Sequence, residues 1–186
     1  LSAFDCVIFS NISQATLSEK HLKWLESWVS QRGGGLCMVG GNFSFASGGW
    51  RDSELAQILP VTLVENDHDF ELGEFTIVPA LTGRVHPIWQ MLNDDKQNRE
   101  IVRGFPPLNA GNRLPRAKPN VATVLATGAQ SAASDLPAIV VGHYGKGRSM
   151  ALAGGITEPW AGEFTKWGQN DNRYYAKFWR NAVYWL

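Results

Sequence analysis

The chain has 186 residues, 44% of them hydrophobic, which is enough for one domain with a real core and too apolar for a disordered segment. Lys+Arg and Asp+Glu balance at 17 each, so no net field draws the chain to nucleic acid or an anionic membrane. No apolar run approaches the roughly 20 residues of a membrane span, and the opening LSAFDCVIFS carries no signal-peptide pattern.

That opening goes almost at once into a continuous apolar run, Phe4–Ser10, which predicts a strand covered on both faces. Thr16 with Glu19 three residues on has the form of a capping box and predicts a helix start. Leu17, His21, Trp24, Leu25, Trp28 and Val29 then share one helical face, and Gly33 ends the helix in the left-handed role. Leu36–Gly41 is the next buried strand. Strand, helix and strand with short joints make a βαβ unit, hence parallel pairing.

Ser53–Leu59 suits a short helix stopped by Pro60. VTLVE and FTIVPAL suggest strands, and His86–Asn93 a short helix with Pro87 in its first turn. Prolines, glycines and asparagines dominate Glu100–Asn120, which reads as irregular. Ala122–Thr127, Pro137–Tyr144 and Arg148–Gly155 are strands, the last two flanking the hairpin signal Gly145–Gly147. Asn172–Leu186 is a final helix whose core face is Tyr175, Phe178, Trp179, Ala182 and Val183. Tyr174, Tyr184 and Trp185 lie off that face, where aromatics favour protein contacts.

The expected architecture is a three-layer α/β domain, flavodoxin-like, with a mostly parallel sheet and a C-terminal antiparallel hairpin. It spans residues 1–186 as a single domain. An opening without Met on a strand, and an end within a helical pattern, predict a piece of a longer chain. Cys6 and Cys37 both lie in apolar runs and read as buried thiols, which favours a reducing, cytoplasmic compartment.

Open parallel sheets bind ligands at the C-terminal ends of their strands, and the loop GGNFSFASGGW (Gly40–Trp50) follows such an end. Its glycines permit close backbone approach, and Gly41, Asn42, Ser44 and Ser47 offer hydrogen-bonding groups. Against that stands a structural role, with Phe43, Phe45 and Trp50 pinning the loop to the body. The segment Gly142–Ser149 lacks the spacing of a phosphate loop and reads as a hairpin tip. The four histidines show no metal spacing, and Glu65–Glu71 reads as a solvated acidic loop. Asn112–Asn120, though basic, reads as an exposed connection.

The strand, helix, triple glycine, strand and "GG-x-x-SF-x-x-GG" loop of Phe4–Trp50 resemble the class I glutamine amidotransferase-like superfamily, in particular its domains in large bacterial proteins. Ile58–Val61, His86–Pro87, Pro106–Leu108, Tyr144–Leu152 and Phe178–Leu186 fall in the same order, and the resemblance to ThuA-like proteins is more distant. The resemblance implies the fold above. It also implies where a catalytic triad would stand: a Cys on an elbow at the strand end, and a His with a Glu near the C-terminus. Gly40, Gly41 and Asn42 occupy the elbow, Cys37 falls in mid-strand, and Ile156 stands where Glu158 would need a histidine before it.

The expectation is therefore a non-catalytic domain without catalytic residues, cofactor or metal. It would serve as a ligand-binding or protein-interaction module whose partners are the rest of its own chain or a protein docked on the C-terminal aromatics. Neither nucleic acid nor direct membrane contact is expected. The alternative is an amidotransferase- or hydrolase-like enzyme that uses Asn42, Ser44, His86 and Glu158 in the strand-end cleft. Gly41, Asn42, Ser44, Ser47, His86 and Glu158 are the candidate ligand-binding residues.

Overall fold

The computed structural model describes residues 3–65, 68–129, 136–155 and 160–186. The early elements are β1 (Cys6–Ser10), a 3-10 turn (Gln14–Thr16), α1 (Glu19–Arg32), β2 (Gly35–Val39) and α2 (Glu54–Ile58). Then come β3 (Phe70–Pro79), a second 3-10 turn (Pro87–Trp89), α3 (Asp95–Arg103), β4 (Leu108–Asn112), β5 (Ala122–Ala129), β6 (Leu136–Tyr144), β7 (Gly147–Leu152), α4 (Trp160–Phe164) and α5 (Arg173–Trp185).

The strands form one sheet in the order β1-β2-β7-β6-β5-β3-β4. β1–β2 and β2–β7 are parallel; the other four junctions are antiparallel. The sheet is thus mixed, and the expectation of a mostly parallel one is corrected. A parallel neighbour needs a long crossover, which α1 supplies early. Among the later strands, β6 and β7 are joined by the two-residue turn at Gly145 and Lys146, a connection that only an antiparallel pair can use.

Helices cover the sheet on both faces where the parallel strands lie, since all five residues of β2 are buried. α1 and α2 pack together against β7 and β6, while α4 and α5 form a second group with the 3-10 turn at Pro87. β1 is different. It is an edge strand, Cys6 is only partly buried and Ile8 is exposed, so the doubly covered strand expected there is not found.

α1 begins later than Thr16. Thr16 closes the preceding 3-10 turn, and Ser18 is the N-cap, accepting from the His21 N–H. The buried stripe is Leu22, Leu25, Trp28 and Val29, with His21 and Trp24 turned outward. Lys20 Nζ sits 4.8 Å above the Trp24 ring, which shields part of it. Gly33 closes the helix at φ 86°, as expected.

Glu100–Asn120 is more regular than predicted, since it holds the last turn of α3 and all of β4. VTLVE forms no strand; Val61 makes an isolated bridge to Ala117. In α5, Phe178 and Ala182 are fully buried and Tyr175 and Trp179 partly so, but Val183 is 45% exposed and leaves the core face. Trp185, expected to be free, packs inward with ring centroids 4.9 Å from His86 and 6.1 Å from His143. Tyr174 lies against Trp167, so of the three off-face aromatics Tyr184 is the one left strongly exposed, at 83%.

Candidate strand-end site

β2 runs out at Val39, beside the end of β7. Gly40 N–H donates to Gly154 O at 2.9 Å. A side chain on Gly40 has no room, because its Cβ would stand 1.8 Å from the carbonyl oxygen of Ala153. The glycine is required by this close approach of two backbones.

The loop that follows is held by side chains from three directions. Asn11 Oδ1 accepts from the Phe43 N–H at 2.9 Å. Asn112, at the end of β4, accepts from the Gly41 N–H at 2.8 Å and donates back to Gly41 O at 3.2 Å. Asp69 accepts from the Ala46 N–H at 3.2 Å, the Ser47 N–H at 3.1 Å and Asn112 Nδ2 at 2.9 Å. Ser47 Oγ also donates to Asp69 Oδ1 and accepts from the Asp69 N–H. Asp69 and Asn112 are both almost wholly buried, with 3% and 4% of their surface exposed.

Aromatic packing completes the loop. Phe45 and Trp50 are fully buried, and Trp50 Nε1 donates to Ile12 O at 2.9 Å. Phe43, expected as a third anchor, is 55% exposed.

The sequence-derived candidates therefore divide. Gly41 and Ser47 converge on the Asn112–Asp69 pair. Ser44 is buried and donates to Val39 O at 2.7 Å, so its hydroxyl is turned back into the strand end. Asn42 is exposed. His86 stands elsewhere: its ring lies on Trp185 with Arg148 close by, and Arg148 pairs with Gly35 at the start of β2. That is the opposite end of the parallel strands. Glu158 lies outside the described residues.

Asp69 and Asn112 were missed. The acidic run Glu65–Glu71 is not simply solvated, as expected, because its fifth residue is the inner anchor of the loop. Its flanking carboxylates do face outward, Glu65 pairing with Arg51 at 3.1 Å and Glu71 with Arg113 at 2.6 Å.

Next to Asn112 is a small cavity of about 120 Å³, walled mainly by Phe75, Leu108, Leu136, Ala138 and Ala153. That is well under the ~300 Å³ at which small-molecule pockets begin. Cys37 lies within β2 with none of its surface exposed, and burial, aided by Cys6, pushes its thiol far above the ordinary value. Cys6 is a free thiol as well, though only partly buried rather than enclosed as expected. Among the described residues no group of three or more His, Cys, Asp or Glu side chains is arranged to hold a metal ion. No described helix is long and apolar enough to cross a membrane.

No curated protein matches this sequence. Among solved structures the chain is similar to "Cytoplasmic Protein STM1381" from Salmonella typhimurium LT2, at 25% identity and TM-score 0.76, covering all of this chain and 73% of that one. A second Salmonella typhimurium protein, "Cytoplasmic Protein STM3548", gives 20% identity at the same TM-score and the same coverage, and shares the fold. The fold also recurs in a ThuA-like protein from Parabacteroides merdae, with 15% identity, TM-score 0.55, and coverage of 99% of this chain and 70% of that one. Residues 1–186, the entire chain, match the GATase1_like family, described as "Putative glutamine amidotransferase", and the chain belongs to that family.

Proposed function

We propose that this domain does not hydrolyse glutamine and that it acts as a binding module within a larger bacterial protein. The reading is carried by the state of the strand end. Glutamine hydrolysis of this kind needs a thiolate at an accessible elbow with an imidazole beside it. Here the elbow positions are Gly40, Gly41 and Asn42, and the thiol in that strand, Cys37, is enclosed and held protonated. A buried thiol in apolar surroundings is inert.

The rest of the cleft supports the same reading. The Gly41, Phe43 and Ser47 N–H groups of the loop are taken up by Asn112, Asn11 and Asp69 rather than presented to a ligand, while Asn42 stays exposed. Interaction with the rest of its own chain is the role best matched to so rigid a surface. Two free thiols, together with relatives described as cytoplasmic, favour a reducing compartment.

The test is ammonia release from glutamine by the purified domain and by Cys37→Ser. We expect no release from either. Release by the wild type that disappears in Cys37→Ser would overturn the reading.

A further inference from the structure

Far from the strand-end loop, an open cleft of about 500 Å³ lies between the segment after β3 and helix α3. Three arginines line it: Arg84 from the segment, and Arg99 and Arg103 from α3. One carboxylate, Asp95, shares the lining, with His86, Trp89 and Asn98. The chain as a whole is charge-balanced at 17 against 17, so this is a local excess of positive charge.

None of the three guanidinium groups has an ion-pair or hydrogen-bond partner among the described residues; the ion pairs there use Arg51, Arg113 and Arg173. Arg99 and Arg103 stand four apart on one helix face, where like charges repel. An arginine in the last turn of a helix does complement the helix dipole, which accounts for Arg103 but not for Arg99 or Arg84.

The frame beneath them is rigid. Asn98 Oδ1 accepts from the Met91 and Leu92 N–H groups at 2.8 and 2.9 Å, and Nδ2 donates to Trp89 O at 3.0 Å. These bonds tie the segment to α3 and set the spacing of the arginines. Two further donors are unspent among the described residues. Trp89 is 2% exposed, and its indole N–H has no acceptor there. His86 Nδ1 accepts from the Ile88 N–H at 3.4 Å, so in the neutral ring the proton sits on Nε2. Burial, reinforced by Arg148, lowers His86 to about 4, and at neutral pH the ring is an uncharged donor.

We propose that this cleft binds a phosphate-bearing small molecule, with the phosphate dianion held by Arg84, Arg99 and Arg103. A lone carboxylate is met by one bidentate arginine, whereas three guanidinium groups lining one cleft match a dianion with three free oxygens. The volume exceeds that of bare phosphate and falls within the ~300–1,000 Å³ of small-molecule pockets. Asp95 is placed to accept from a hydroxyl or amine on the body of the ligand. The proposal does not depend on whether Cys37 is catalytic.

The experiment is a titration of the isotope-labelled domain with inorganic phosphate at low ionic strength, followed by NMR, with chloride at matched ionic strength as control. Saturable shifts are expected in residues 84–103 with phosphate and not with chloride. Binding should weaken roughly tenfold or more in Arg99→Gln and in Arg103→Gln, both exposed positions whose fold is checked by circular dichroism. The His86 ring should titrate at higher pH once phosphate is bound. Absence of saturable shifts at millimolar phosphate, or unchanged binding in both variants, would overturn the proposal. So would co-sedimentation with phosphatidylinositol phosphate vesicles in a domain that ignores free phosphate, since the anion would then be a lipid headgroup.

Discussion

Replacing Asp69 tests whether the glycine-rich loop is held from within. Its carboxylate meets four donors: the Ala46 and Ser47 N–H groups, the Ser47 hydroxyl and the Asn112 amide. Asp69→Ala leaves these donors facing a small void. A buried donor left unsatisfied costs about 1–3 kcal/mol, but water entering the void and rotation of the Ser47 hydroxyl recover part of that. A loss of about 3–5 kcal/mol is expected, against a domain's total margin of roughly 5–15 kcal/mol. Asp69→Asn keeps one oxygen for the three donors at Oδ1 but turns an NH2 toward the Ala46 N–H, so it should cost less, about 1–3 kcal/mol. Urea unfolding measures both. In a double-mutant cycle, Asp69→Ala and Asn112→Ala should couple by about 0.5–3 kcal/mol because they share a bond. A midpoint unchanged in Asp69→Ala, or strict additivity in the cycle, would refute the network as the loop's anchor.

Four further substitutions probe other parts of the fold. His86 takes up its proton near 6.5 in the unfolded chain and only near 4 when folded. The unfolded state therefore binds more protons between those values, and the stability tied to the neutral ring is whole above about pH 6.5 and lost as pH falls toward 4. The loss should be on the order of 1–2 kcal/mol once solvent screening of a half-buried ring is allowed for; His86→Asn, which retains a capping acceptor, should flatten that part of the urea-midpoint profile. Phe178→Ala should cost about 3–5 kcal/mol, since the ring is fully buried among Trp89, Phe105 and Phe164. Val183→Ala on the same helix should stay within about 0.5 kcal/mol; equal losses at both positions would show the helix face to be wrongly placed. Gly40→Ala puts a methyl against backbone that has no rotamer to change and should cost more than about 4 kcal/mol, read as lost soluble yield or a collapsed urea midpoint.

The elements that could be read from the sequence are those whose signals are local. β1, α1, Gly33 and β2 announce themselves within forty residues through apolar runs and a left-handed cap. α3 did not, because DKQNREIVR buries only Val102 and so has no apolar stripe to detect. Its legible marks were the ends, Asp94 accepting from the Gln97 N–H and Gly104 closing the last turn. Strand order was beyond reach for a different reason. β7 sits beside β2 through pairing across more than a hundred residues, and nothing in either strand names its neighbour.

The same limit governed the loop. Asp69 is one of several acids in a short run, and its partners Ser47 and Asn112 lie 22 and 43 residues away, so the sequence cannot say which carboxylate turns inward. Once that placement is known, the glycines at the strand end take on a meaning that composition alone did not supply. A nucleophile at position 40 would collide with Ala153 O, and one at position 41 would meet Asn11 Oδ1 at 2.4 Å. Position 42 has room, since Asn42 is exposed, but His86 and His143 both lie against Trp185, toward the start of the parallel strands. Those two imidazoles cannot serve as a base for a thiol at Asn42, so restoring a nucleophile at position 42 would not by itself rebuild a thiol–imidazole pair with either of them. Backbone approach closes position 40 and the Asn11 side chain that anchors the loop closes position 41, so the contacts that hold this loop are the same ones that shut two of its three elbow positions.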